Sequence, residues 1–103
     1  MFALTLNKYL VLEIVNEALL MQSQDQIKYQ IEKFTLQDIA DSGLYNALSG
    51  LVSVGALQLT LKDVEKDQRK VSRRRFYGIT KVGRDMIKSE RKIYKKIYDI
   101  QNK

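Results

Sequence analysis

The chain has 103 residues, 45% of them apolar and 29% charged, which allows one globular domain with one core and is too little for two. Eighteen Lys and Arg against twelve Asp and Glu leave a net charge of +6, pointing to a polyanionic partner, with nucleic acid ahead of a membrane surface. There is no Cys and no His, which removes disulfides, thiol chemistry, the usual zinc ligands and the commonest general base; no enzyme, metal site or cofactor is expected.

No run of about 18 apolar residues is present, so no transmembrane helix and no membrane partner are expected. The apolar N-terminus is interrupted by Asn7, Lys8, Glu13, Asn16 and Glu17. It lacks the basic start and small-residue cleavage site of a signal peptide. Cytoplasmic residence is the expectation.

Residues Leu4 to Met21 read as one helix. Leu4, Leu10, Val11, Ile14, Val15, Ala18 and Leu19 fit helical spacing. Leu12, Leu20 and Met21 widen the apolar surface beyond one stripe, so this helix needs more than one neighbour. Ser23 to Gln26 reads as a polar break. Ile27, Ile31 and Phe34 then suggest a short second helix, with Tyr29 beside them. Thr35 is a candidate cap for a further segment, with Asp38 three residues on and Leu36, Ile39 and Ala40 as its inner face. Asp41-Ser42-Gly43 looks like a turn. Leu44 to Val54 reads as the next helix, with Leu44, Leu48 and Leu51 inward and Gly55 suited to a left-handed stop.

Strand alternation follows. Leu57, Leu59 and Leu61 face one way, Gln58, Thr60 and Lys62 the other. Glu65 to Lys70 is a charged connection, and a second strand runs from about Val71 to Ile79. Thr80 is a good N-cap for a last helix from Lys81 to Gln101, roughly 30 Å long. Val82 and Met86, four apart, are its expected core contacts.

The order helix, helix, helix, hairpin, helix is that of a winged helix-turn-helix: an α+β, mostly helical fold of three helices, a two-stranded β-wing and a long C-terminal helix. An α+β domain with the same order and no DNA contact is the competing reading. Two segments carry a family resemblance. Leu44-Tyr45-Asn46-Ala47-Leu48-Ser49-Gly50-Leu51-Val52-Ser53-Val54-Gly55-Ala56-Leu57 resembles the recognition-helix pattern of the PadR family of winged-helix regulators: a Leu-Tyr pair, spaced leucines, and a glycine before the first wing strand. Arg73-Arg74-Arg75-Phe76-Tyr77-Gly78-Ile79-Thr80-Lys81-Val82-Gly83 resembles that family's second wing strand and the start of its last helix, a pattern shared with other winged helices. The resemblance spans roughly residues 27 to 87. It implies a DNA-binding regulator whose first and last helices pair two subunits.

The chain departs from the family in three places. Its third helix has no charge between Leu44 and Val54, where the family carries Lys or Arg. The stretch before Leu44 lacks the family's Gly-Tyr pair, and no ligand-pocket residues carry over. Outward Tyr45, Asn46 and Ser49 are the candidate major-groove contacts; Asn can read adenine, and Ser and Tyr can bond phosphates or bases. Phosphate attraction must then come from the wing. Seven basic residues fall between Lys62 and Arg75, against Asp63, Glu65 and Asp67. Arg69, Lys70, Arg73, Arg74 and Arg75 hold no acid among them and are the candidate wing contacts. A solvated, salt-bridged hairpin is the alternative for the wing charges.

The last helix continues past the core. Ile93, Ile97 and Ile100 recur at spacings of four and three after Glu90, with Tyr94 and Tyr98 as a flanking row, the spacing of a coiled-coil seam. The expected dimer interface is Leu10, Ile14, Ile93, Tyr94, Ile97, Tyr98 and Ile100. Packing back on the chain's own first helix is the alternative, and the two can coexist.

The functional expectation is a sequence-specific, double-stranded-DNA-binding homodimer that represses transcription, cytoplasmic and associated with the nucleoid. A second reading is a plasmid or viral partition or replication adaptor that coats centromere-like DNA and recruits a motor protein. A third is a winged-helix protein-interaction module without DNA.

Overall fold

The computed structural model describes the backbone of residues 4–67 and 70–101, and the side chains of those residues outside 64–72. The element order is α1 (Leu6–Glu17), β1 (Gln22–Ser23), α2 (Gln24–Thr35), α3 (Asp41–Ser53), β2 (Leu57–Asp67), β3 (Lys70–Ile79) and α4 (Lys81–Gln101). The sheet is antiparallel in the order β1-β3-β2.

The first helix is shorter than its apolar run. Thr5 caps it by accepting the Lys8 N–H at 3.3 Å, and the chain turns extended at Ala18. Leu19 and Leu20 therefore lie outside it and are exposed. Val11, Leu12 and Val15 are buried, and the helix packs on α2, α3, α4 and β3. Part of its apolar surface is thus used within one chain, while Leu10 and Ile14 stay partly exposed.

The expected polar break at Ser23 to Gln26 is a strand followed by a helix start. Gln22 and Ser23 pair with Tyr77 and Phe76 as a third strand. Ser23 then opens α2 with a reciprocal capping box: its hydroxyl accepts the Gln26 N–H at 3.3 Å, and its own N–H donates to Gln26 Oε1 at 2.8 Å. Ile27 and Ile31 are buried, whereas Phe34 is exposed.

Thr35 does not start a helix; it ends α2. Its hydroxyl donates back to the Ile31 carbonyl at 2.8 Å, and Leu36 follows in the left-handed region at φ 58°. Leu36 is exposed rather than inward-facing, and only Ile39 of the expected inner face packs on the core. Glu32 accepts the Ile39 N–H at 3.0 Å and holds this connection to α2. Asp41-Ser42-Gly43 is not a turn but the first turn of α3. Lys28 of α2 reaches Asp41 at 2.8 Å, an exposed ion pair between the two helices.

Leu44, Ala47, Leu48 and Leu51 form the buried face of α3. The helix stops as its glycine demands. Gly55 has φ +79°, its N–H donates to Val52 O, and the Ala56 N–H donates to Leu51 O, the paired bonds of a Schellman motif.

The wing strands continue through most of the expected connection. β2 runs on to Asp67 and β3 begins at Lys70, with a register shift between Glu65 and Asp67. Leu57 is buried, but Leu59 and Leu61 become progressively exposed as the hairpin leaves the core.

The start of α4 is a tight junction. Thr80 accepts the Gly83 N–H at 3.1 Å and donates its hydroxyl toward the carbonyls of Gly55 and Ala56. The inner face is Gly83, Ile87 and Glu90. Val82 is 47% exposed, so it does not close the core as its spacing suggests; Ile87 does, with partly buried Met86 beside it. Glu90 is 3% exposed and accepts the Leu4 N–H at 2.9 Å, tying the start of the chain to α4. Farther along, Arg91 grips Glu13 through two bonds of 2.6 and 2.9 Å, and Tyr9 donates to the same carboxylate at 2.6 Å.

Candidate nucleic-acid interface

The helix-turn-helix pair α2–α3 presents the outer face of α3 beside the base of the wing. Tyr45 is 40% exposed, Asn46 is exposed and Ser49 is partly buried. With Leu44 and Leu48 turned inward, helical periodicity leaves these three on the open side. The face carries hydroxyl and amide groups and no cation of its own.

The wing supplies the cations in two sets, because β3 alternates. Leu61 pairs with Arg75 and Asp63 with Arg73; Lys62 pairs with Arg74. Arg73 and Arg75 therefore share the face of Tyr77 and Ile79, and Arg74 is on the other face with Lys62. The three arginines differ in what they touch. Arg73 meets Asp63 across the hairpin at 3.5 Å, with both side chains largely exposed. Arg74 stands directly opposite another cation, while Lys62 also lies over the Phe76 ring at 5.2 Å. Like charges in that position repel, a small stability cost that a polyanion would remove. Arg75 turns toward the helix, its guanidinium lying over the Tyr45 ring at 5.3 Å.

The contact alters the phenol. Hydrogen bonding from Ser49, then from Arg75, with the arginine charge adding to it, holds the Tyr45 hydroxyl below its ordinary pKa. Burial instead pushes Tyr77, beneath them, upward. Arg73, Arg74 and Arg75 also edge an open cleft of about 510 Å³ shared with the start of α2 at Ser23, Gln24 and Asp25. Of the other expected wing residues, Lys70 begins β3 opposite Asp67, and its side chain is outside the described set; Arg69 lies outside the described residues.

The expected subunit interface divides in two. Leu10 and Ile14 pack partly against the chain's own core, and Ile93 is half-buried. Tyr94 stacks at a tilt on Tyr9, ring centres 5.2 Å apart, yet remains 41% exposed. Ile97, Tyr98 and Ile100 are exposed in the last two turns. Beside α1 lies an apolar groove of about 750 Å³ edged by Leu10, Ile14, Leu19, Leu20 and Phe34.

Two features had no local signal in the sequence. Tyr45 and Arg75 are thirty positions apart, and Glu13 and Arg91 farther still. Only the fold brings each pair together.

No family model matches the sequence, and no curated protein matches it. Solved structures do. A PadR-family transcription regulator from Clostridium difficile R20291 superposes with a TM-score of 0.76 at 17% identity, covering 95% of this chain and 96% of that one. A PadR-like transcriptional regulator from Bacillus cereus gives 0.74 at 15% identity, over 92% and 86%. RosR of H. salinarum gives 0.69 at 22% identity, over 88% and 74%. The architecture is therefore a winged helix. More narrowly, the chain has the PadR-like winged-helix fold.

Proposed function

We propose that the protein is a sequence-specific, double-stranded-DNA-binding transcriptional regulator that acts as a homodimeric repressor. The observation that carries this reading is the continuity of one surface. The polar outer face of α3 abuts wing arginines, one of which lies directly on it. The Lys62–Arg74 cross-strand pair of like charges and the net charge of +6 support a polyanionic partner. The likeness in fold to proteins described as transcription regulators supports the assignment of role.

In this reading Tyr45, Asn46 and Ser49 face the major groove. Arg69, Lys70, Arg73, Arg74 and Arg75 supply salt-dependent attraction to the backbone. The dimer forms through α1 and α4. Its support is the exposed apolar end of α4 and the exposed apolar groove beside α1, two surfaces on one chain that water does not favour leaving open. A two-fold pair would present two α3 helices to a palindromic site. The setting is the cytoplasm, at the nucleoid.

The test is duplex binding by anisotropy across a salt series. Replacing Arg73, Arg74 and Arg75 together with Ala should weaken binding to every duplex and flatten the salt slope by roughly one for each phosphate that is no longer neutralised. Replacing Asn46 with Ala should instead relax sequence preference. A triple variant that binds as tightly as wild type would remove the wing from the interface.

The absence of any Lys or Arg from α3 favours one other reading, a partition or replication adaptor that coats DNA and engages a motor. Footprints that spread with protein concentration would support it; one compact footprint over a promoter would support the regulator.

A further inference from the structure

The three wing arginines are adjacent in sequence but not equivalent in place. Arg73 is engaged by Asp63, and Arg74 is on the face turned away from Tyr77. Arg75 is exposed and has no ion-pair partner among the described residues. Its guanidinium is stationed over Tyr45, on the outer side of α3, 5.3 Å from the ring centre. A guanidinium above an aromatic face is held there by the ring's negative potential, and with five N–H donors it keeps others available beyond the one given to the Tyr45 hydroxyl. The stack also removes rotamer freedom from a long side chain before any ligand arrives. Asn46 and Ser49 lie along the same exposed side of the helix.

We propose that Arg75 belongs functionally to the recognition helix: held across Tyr45, it reads a guanine edge in the major groove, while Arg74 serves the phosphate backbone. Guanine is the base that fits, because its O6 and N7 are two adjacent acceptors that match the two parallel donors of a guanidinium. α3, which has no cation of its own, then acquires its base-reading cation from β3, through a contact across the fold rather than from its own sequence. Tyr45 is the positioning residue. The inference rests on the DNA-binding reading above and moves Arg75 within it from the phosphate backbone to one base.

The test is selection from a library of duplexes randomised over about two helical turns, using the full chain as wild type, Arg75→Ala, Arg75→Lys, Arg74→Ala, Tyr45→Phe and Tyr45→Leu. Wild type should select a motif containing a guanine in each half-site. Arg75→Ala should lose preference at that base pair alone, on the order of 10- to 100-fold, the range that a bidentate arginine–guanine pair supplies. Arg75→Lys keeps the charge but not the fork, so the same position should weaken. Arg74→Ala should keep the motif and lose affinity uniformly. Tyr45→Phe retains the ring and should retain the guanine; Tyr45→Leu should lose it, with no additional loss when combined with Arg75→Ala. If Arg75→Ala selects the wild-type motif with uniformly weaker binding, Arg75 is a backbone contact and the inference is wrong, while the DNA-binding reading stands. If wild type retains no duplex at low salt, both are wrong. The substituted side chains are exposed, and thermal unfolding of each variant checks that the fold is intact.

Discussion

Gly83→Ala separates two physical effects of opposite sign. Gly83 lies in the first turn of α4, where helix propensity alone favours Ala over Gly by about 1 kcal/mol. A β-carbon there would sit 2.2 Å from the Ala56 carbonyl oxygen and 2.7 Å from Ile79 Cδ1. The isoleucine methyl can rotate away; the carbonyl cannot, because it also receives the Thr80 hydroxyl and N–H. Helix and strand would have to part by roughly 1 Å to restore ordinary contact. Overpacking of this kind costs about 1–3 kcal/mol, and the upper end applies where the obstacle is backbone. After the propensity gain, a net loss of about 2 kcal/mol remains. For a domain of this size that lowers Tm by about 10 °C. Gly43→Ala is the matched control. It is also in the first turn of a helix, and nothing lies within 4 Å of its would-be β-carbon. Propensity should therefore act unopposed there and raise Tm by a few degrees. Circular-dichroism melts of both variants give the signs. A Gly83→Ala protein as stable as Gly43→Ala would refute the close approach of α4 to Ala56.

Two further outcomes concern α1 and α4. Ile97→Lys puts a charge into the exposed apolar end of α4, away from the buried core, and should convert the proposed dimer to a folded monomer in sedimentation, with helical signal retained; a variant that sediments as wild type would remove this end of α4 from the proposed interface. The Glu13–Arg91 latch should be acid-sensitive. The Arg91 hydrogen bonds hold the Glu13 carboxyl below its ordinary value, a depressed folded-state pKa. Its contribution is then fully present above the ordinary carboxylate range and is lost as pH falls below about 4.5 through the folded value. Glu13→Gln should melt below wild type at neutral pH, with the gap closing in acid; a gap that is constant across pH would assign the contact no ionic role.

Much of the fold was legible because its signals are local. The apolar spacing of Leu44, Leu48 and Leu51, the glycine that ends their helix, and the Thr80 cap each need only a few neighbouring residues, and α4 spans the residues its periodicity indicates. Misreadings arose where a local pattern had two uses. Leu19 and Leu20 continue the apolar run of α1 but lie past the residue where the backbone turns extended. Thr35 has the chemistry of an N-cap, yet its hydroxyl returns to Ile31 and closes α2 instead. Asp41, Ser42 and Gly43 look like a turn because they disfavour helix interiors, but a first turn lacks most intrahelical bonds and accepts them. Val82 fits the core spacing by number, while the actual contact line runs one residue later through Gly83, Ile87 and Glu90.

The arginine cluster shows the same division. By itself, the sequence determined that the wing is basic, that alternation sends Arg73 and Arg75 one way and Arg74 the other, and that α3 has no cation of its own. Those properties depend on composition and on the two-residue repeat of a strand. Only the tertiary structure decided that Arg73 is engaged by Asp63, that Arg75 lies over Tyr45, and that Arg91 closes on Glu13. The reason is geometric. A side chain's direction follows from its own backbone, but its partner follows from how separate elements pack, and no short stretch of sequence records that.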